Sequence, residues 1–567
     1  MSGAALALAG CAAPKTSTSG TTTTGGKAGG GSGSVDDLAA GHYERVLGAS
    51  KRELNPAQFA KRGGILKFNY LDPPHFDMAL TFSCTIYDTY ALVYNRALRP
   101  KLGATADPSQ LQLEPELAEK IEQPNKDGSE FVFSFRKNVK WQNKAPLNGR
   151  PFTAEDAKLA YERYQAGGVQ KDLFSFVDKW EMPDQYTLRA KLKQPFADFA
   201  ASISTAGFIV PRELWLNSDK IKTEAIGTGP FIRDSWTPKQ GSNFVRNPDY
   251  WEMGADGKPL PYIDNLQASF LVDQATAKAA YLSGNLDLWV VPNKENGDEG
   301  LKSVPNTVWL DVPYSAGSTV NNFLFNINNP KFQDKRVRNA ISMGIDRVGM
   351  DRLLYDGLNQ GWSLNSVPWI FAYDKQPALE DQGPTYQYNP DQAKQLLKAA
   401  GAENLEFELV HFYLPNQSPI IQDMLRQIGV KVNIRAVDNP TAVQLWTSKN
   451  FKDAINISWG PPNLTADGWL YPFYNSKGGT NYNGVNDPDL DKLLDQQRKE
   501  LDAGKRKEII KQIDKRLGDQ NYDVFFPNSW VRQAWLTSIK NFRPHGFMSH
   551  SQCYLAHSYS QVWIDKS

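Results

Sequence analysis

The chain has 567 residues, 41% hydrophobic and 22% charged, with 63 Lys and Arg against 62 Asp and Glu. That length exceeds what one hydrophobic core supports and implies about two to four domains. The balanced charge supplies no net field for nucleic acid or an anionic membrane, and no apolar run reaches the ~20 residues of a bilayer span, which excludes those classes. Fifteen Trp and 23 Tyr exceed what folding ordinarily needs and suit a cleft whose walls stack on a ligand.

Met1 to Gly10 is small and apolar, and Leu8-Ala9-Gly10-Cys11 fits a lipoprotein signal in which the Cys11 thiol takes the lipid. No Lys or Arg precedes the apolar run, so the basic part of the signal is expected upstream of this start. Ala12 to Ser34 is almost entirely Ser, Thr, Gly and Ala, a composition that forms no core and reads as a flexible tether of about 25 Å. Gly20 to Lys27 superficially resembles a phosphate loop, but it lacks Lys after the second Gly and follows no strand. Leu38, Tyr43, Val46 and Leu47 suggest a loose helix within Val35–Arg62.

From Gly63 the pattern becomes that of a folded body. Gly63 to Tyr70 alternates as a strand, Asp72-Pro-Pro breaks it, and Tyr87 to Arg99 reads as a helix with Tyr90, Ala91, Tyr94 and Leu98 on one face. Asp127-Gly128 turns into Phe131–Phe135, whose three Phe share a strand face. Thr153 with Asp156 caps a helix carrying Ala157, Ala160, Tyr161 and Tyr164, and Leu188, Ala190 and Leu192 alternate in another strand. Gly227 and Gly229 flank Thr228 where the backbone is expected to bend freely, and Pro230 fixes φ at a strand entrance. Val320–Asn328 reads as a strand, Asp334 as the cap of a helix, and Asn389-Pro390 to Gly401 as a helix with its start and stop signals. Leu405–Leu409, Pro419–Ile428 and Val430–Ile434 form a strand, helix, strand unit that implies a parallel α/β arrangement. Asp487-Pro488 caps a helix bearing Leu490, Leu493 and Leu494, and Lys505–Leu517 repeats the pattern.

Several of these strings, in this order, resemble bacterial extracellular solute-binding proteins of family 5, the oligopeptide, dipeptide and nickel type of ABC importers. They are the Gly-Gly strand and Pro loop at 63–77, Pro146–Asp156, Ile226–Leu288 with Arg246-Asn-Pro-Asp-Tyr-Trp251, Asp346-Arg347, and Asn481–Leu494. The resemblance covers residues 63–567. It implies an α/β, two-lobed periplasmic-binding-protein-like fold of class II, large type, with an extra subdomain inserted in the first lobe. The implied division is 1–10 signal, 11–62 anchor and linker, 63–96, 226–313 and 531–567 lobe I, 97–225 the insertion, and 314–530 lobe II.

No Gly-x-Ser-x-Gly elbow, His-Glu-x-x-His or Cys-x-x-Cys occurs, and the six His fit no metal-ligand spacing even where His545, His550 and His557 gather near Cys553. Neither an enzyme nor a resident metal or cofactor is expected. The resemblance implies a monomer that binds a peptide-like or similarly sized solute between lobes, meets ABC permease subunits, and touches the membrane only through its lipid. An oligosaccharide or other non-peptide ligand stays open. It also places Cys84 and Cys553 in one lobe, where they could pair as a disulfide. In the family a Trp-Gly stretch of lobe II is followed by an Asp that pairs with a peptide ammonium. Here Trp459-Gly460 runs into Pro461-Pro462-Asn463, and Asp467 comes later. Ligand contacts are expected from Trp459, Gly460, Asp467, Trp469 and Tyr482, with stacking faces at Tyr471 and Tyr474. Phe82, Ser83, Cys84 and Thr85 are expected opposite them, with Trp236 and Trp369 as further candidates.

Overall fold

The computed structural model describes residues 56–565 apart from 81–83, 102–111, 126, 292–293, 313–319, 356, 358–370, 374–376, 412–415, 460–464, 528–530 and 543–555. The expected anchor Cys11, the expected tether and most of the helix expected at 35–62 lie outside the described residues.

The first body is built on a four-stranded sheet. Ile65–Asn69 pairs in parallel with Asn265–Ser269, which continues antiparallel to Gly241–Arg246 and then Phe231–Thr237. Leu66 and Phe68 bury the inner face beside Leu266 and Ala268, as the alternation predicts. A helix, Cys84–Val93, packs against this sheet. It stops earlier than expected, because the next residues are drawn inward by a carboxylate. The Asn95 side chain and the Arg96 backbone N–H each donate to Glu116 at 2.8 Å, and Leu98–Pro100 becomes a strand.

Gly227 and Gly229 have a different purpose from the one expected. Neither lies at positive φ. A Cβ on Gly227 would stand 2.0 Å from the Val93 carbonyl oxygen, and one on Gly229 would stand 2.6 Å from it. The glycines let one backbone lie against the end of that helix, where the Gly229 N–H donates to Val93 at 2.8 Å.

An inserted unit follows the same logic. Ala118–Glu122, Glu130–Phe135, Thr187–Leu192 and Val177–Asp184 form an antiparallel sheet in that order. Phe131, Phe133 and Phe135 share its buried face, and the helix Ala154–Ala166 covers it with Ala157, Ala160, Tyr161 and Tyr164. Asp156 accepts from the Thr153 backbone N–H at 3.0 Å, half of a capping box. The apolar interior of this unit is continuous with that of the first sheet. Phe208, fully buried, sets its ring edge-on to Tyr87 and Tyr90 at 5.1 and 5.5 Å.

The second body has its own apolar clusters. Its five strands run in the order Lys431–Ala436, Glu406–His411, Ala454–Trp459, Val320–Phe325, Asp523–Phe525. The first three are mutually parallel, and the helix Gln417–Gln427 completes the expected strand, helix, strand unit. The sheet is mixed, because Val320–Phe325 enters antiparallel between Ala454–Trp459 and Asp523–Phe525. Asp334, Asn389 and Asp487 cap their helices through side-chain oxygens.

The chain passes between the bodies twice, between residues 312 and 320 and between 525 and 531. The flanking strands are paired at both ends. Thr307–Val312 runs antiparallel to Val531–Leu536 in the first body, and Val320–Phe325 runs antiparallel to Asp523–Phe525 in the second.

Candidate functional site

In the second body, Lys431–Ala436 flanks Glu406–His411 on one side and Ala454–Trp459 flanks it on the other. The connections therefore diverge at the carboxyl ends of the last two strands, and such a switch point leaves a crevice for a ligand. Its described floor is neutral and polar. His411 shares a 3.1 Å hydrogen bond with the Ser418 hydroxyl, and the Asn456 amide donates to Ser418 at 3.1 Å and to Gln417 at 2.9 Å. All four side chains are buried. Burial lowers the His411 pKa, since desolvation disfavours the charged ring.

The adjacent helix, Ala466–Tyr474, begins with Thr465, whose hydroxyl accepts from the Gly468 N–H at 3.1 Å. Asp467 lies one residue into the helix and is 0% exposed. Its carboxylate is occupied: Gln497 donates to it at 2.7 Å and Arg498 at 2.9 Å. Burial pushes its pKa up, and Arg498 pulls the other way. Trp469 is likewise 0% exposed and packs in the core with Leu470, Leu490 and Leu494. In this conformation neither presents an open face to the crevice. Tyr471 lies under the Arg498 guanidinium at 3.6 Å, and Tyr474 donates to Asp523 at 2.6 Å.

Tyr482 is the expected residue that stays near an opening. It is partly exposed, lies edge-on to Phe473, and lines a small cavity with Leu324, Thr480, Asn483 and Asp523. Asp523 is buried among neutral partners, the Tyr474 hydroxyl and the Asn483 amide at 2.7 Å, with Asn322 a third. Desolvation pushes its pKa up to about 7.

On the first body, Trp236 uses its indole N–H to donate to Asp72 at 3.0 Å and stands edge-on to Phe76 at 4.9 Å. Arg233 lies over the Phe76 ring at 3.9 Å. These contacts tie Trp236 to its own body and leave it partly exposed. Phe82, Ser83, Trp369, Gly460 and Cys553 lie outside the described residues, and at Cys84, Thr85 and Trp459 only the backbone is described. The structure therefore brings Asp467, Trp469, Tyr471 and Tyr474 onto one helix and sets Tyr482 beside it. Sequence reasoning missed His411, Gln417, Ser418 and Asn456. Their one local signal is the polar Asn416-Gln-Ser string opening the helix after a strand.

Among the described residues no group of three His, Cys, Asp or Glu could hold a metal, and no helix is long and apolar enough to cross a membrane.

The family model for bacterial extracellular solute-binding proteins, family 5 Middle, matches residues 112–481. Di/tripeptide-binding protein 1 of Pseudomonas aeruginosa is 26% identical over 546 residues, which span 89% of this chain and 96% of that protein. The ABC transporter-associated periplasmic binding protein DppA of Helicobacter pylori, solved with the peptide STSA, superposes with a TM-score of 0.76 at 21% identity over 89% of this chain and 99% of that one. The binding protein AgaA of A. tumefaciens, solved with agropinic acid, gives 0.75 at 22% identity over 89% and 99%. The second pair shows the two-lobed fold, and the sequence match shows the kinship. The chain belongs to the bacterial extracellular solute-binding proteins of family 5, and its role is to bind a solute for an ABC importer.

Proposed function

We propose that this protein is a lipid-anchored receptor that captures a peptide-like solute between its two bodies and presents it to an ABC permease. The lobes would be 63–96 with 226–313 and 531–567, and 314–530, with 97–225 as the insertion and Cys11 as the anchor. The observation that carries the reading is the separation of apolar cores. The two bodies keep distinct interiors and are joined by two adjacent chain crossings, an arrangement suited to closing on a ligand that contacts both. Relatives that bind di- and tripeptides support the solute class.

One observation favours a second reading. Asp467, the sole carboxylate between Trp459 and Tyr474, is already bound by Arg498 and Gln497. A free ammonium needs a carboxylate to offset its desolvation. A solute without an unpaired ammonium therefore suits this stretch, and the agropinic acid complex of a similar fold is in keeping with that.

Thermal shift with Ala-Ala-Ala and its N-acetylated form separates the two readings. At a hundredfold excess over Kd a solute adds about 2.7 kcal/mol of stability. A shift with the free tripeptide that acetylation abolishes supports the first reading. Equal shifts support the second, and no shift with either counts against peptides. Anchoring is tested by Cys11→Ser, which should move the protein from the membrane fraction to the soluble one.

A further inference from the structure

The inserted unit touches the second body through a set of charged and aromatic side chains. Asp198 occupies the N-cap of the helix Phe199–Ala206, yet its carboxylate caps no N–H of that helix. It reaches across instead. Arg506 of the helix Ala503–Gln520 donates to both its oxygens, at 2.6 and 2.5 Å. The backbone N–H of Asp467 donates to it at 3.0 Å, and the Thr465 hydroxyl is also hydrogen-bonded to it. A residue of the first body thus caps the helix Ala466–Tyr474 of the second.

Arg498 returns the contact from the other side. Its backbone carbonyl accepts from the Ala197 N–H at 2.9 Å. Its guanidinium enters a slot formed by Phe176, Phe196 and Tyr471, at 4.0, 5.4 and 3.6 Å from the ring centroids. Phe176 and Phe196 are stacked at 4.0 Å. Asp467 neutralises the guanidinium from behind, and Gln497 joins the two ion pairs by donating to Asp467 and accepting from Arg506 at 2.9 Å. A further bond runs from the Gly479 N–H to Asp172 at 3.1 Å.

Two Arg and two Asp balance in charge, and every contact is either directional or a cation on a ring. Such a seam is lost at modest cost when water enters, unlike an apolar one. It also ends on the helix that follows residues 460–464, so its state and the placement of that helix are linked.

We propose that Asp198, Arg506, Arg498 and Asp467 form a clasp by which the inserted unit holds the second body closed before any solute binds, and so sets solute affinity from outside the cleft. This rests on the reading of capture by closure. Asp198 and Arg506 are positioning residues here and touch no solute.

The test is small-angle scattering of ligand-free protein, as wild type and as Asp198→Ala, Arg506→Ala and the double variant, with Arg506→Lys as the conservative change. Each alanine variant should lower the closed-to-open ratio by about tenfold, seen as a larger radius of gyration. The double variant should go little further than either single one, and Arg506→Lys should restore most of the wild-type radius. Asp256→Ala, which breaks the Arg62 ion pair inside the first body, should change the melting temperature and leave the radius unchanged. Equal radii for wild type and the alanine variants overturn the clasp, as does an Asp256→Ala radius equal to theirs.

Ala-Ala-Ala is the solute probe. Faster dissociation from the alanine variants than from wild type supports control of affinity, and equal rates overturn it. Failure of the tripeptide to bind wild type counts against the proposed solute class alone, since the scattering result judges the clasp without it.

Discussion

The inserted unit has two seams, and they are made of different materials. Toward the first sheet it shares one apolar interior, in which Phe208 meets Tyr87 and Tyr90. Toward the second body it offers Asp198, Asp172 and an aromatic slot that receives Arg498. The first seam excludes water and forms with the fold. The second is polar, and its groups can be resolvated one by one. If the protein closes on its solute as proposed, the contrast says which parts move together and which part.

The largest expected effect breaks the apolar seam. Phe208→Ala should cost about 3–5 kcal/mol of stability in denaturant unfolding, since the ring is fully buried and the cavity has rigid neighbours. The loss should fall on the insertion and the first sheet together. If only the insertion unfolded earlier, the single shared core would be the wrong description.

A buried charge within one body sharpens the comparison. Asp523 lies among neutral donors, and burial pushes its pKa up to about 7, whereas the unfolded chain releases that proton near the ordinary carboxylate value of about 4. Between those values the folded state binds more protons, so stability is full at low pH and falls as pH rises through about 7. The contribution is up to about 4 kcal/mol. Asp523→Asn should flatten this part of the pH profile of melting. An unchanged slope would mean that another group carries it.

The smallest expected effect on stability is at the polar seam. Arg498→Met removes the cation from its slot and leaves Asp467 with Gln497 alone. If the bodies can part, the orphaned carboxylate gains water and the cost is about 2 kcal/mol, with expansion of the native molecule. A cost equal to that of Phe208→Ala, with no expansion, would make the two seams alike.

Local features were largely legible in the sequence. Asp334, Asn389-Pro390 and Asp487-Pro488 announce helix starts because their chemistry acts within a few residues. The alternation of Phe131, Phe133 and Phe135 exposes a sheet face for the same reason. Partners distant along the chain were not legible. Nothing in the residues around Asp198 points to Arg506, and only the fold shows that the two are partners. Asp467 reads as a ligand carboxylate, and only the fold shows Arg498 against it. The helix expected to reach Arg99 ends at Val93 because Glu116, with no signal near residue 95, claims the backbone N–H of Arg96.

The paired crossings carry a consequence for how the molecule could be taken apart. Residues 320–525 form one uninterrupted stretch whose two ends leave from neighbouring antiparallel strands, with Asn322 opposite Phe525. The remainder is discontinuous in sequence, but its loose ends, Val312 and Val531, also face each other across a strand pair. A short peptide bridge could therefore close either half. The second body could be excised as a free-standing polypeptide, exchanged between relatives, or given new termini, without cutting any strand of the first.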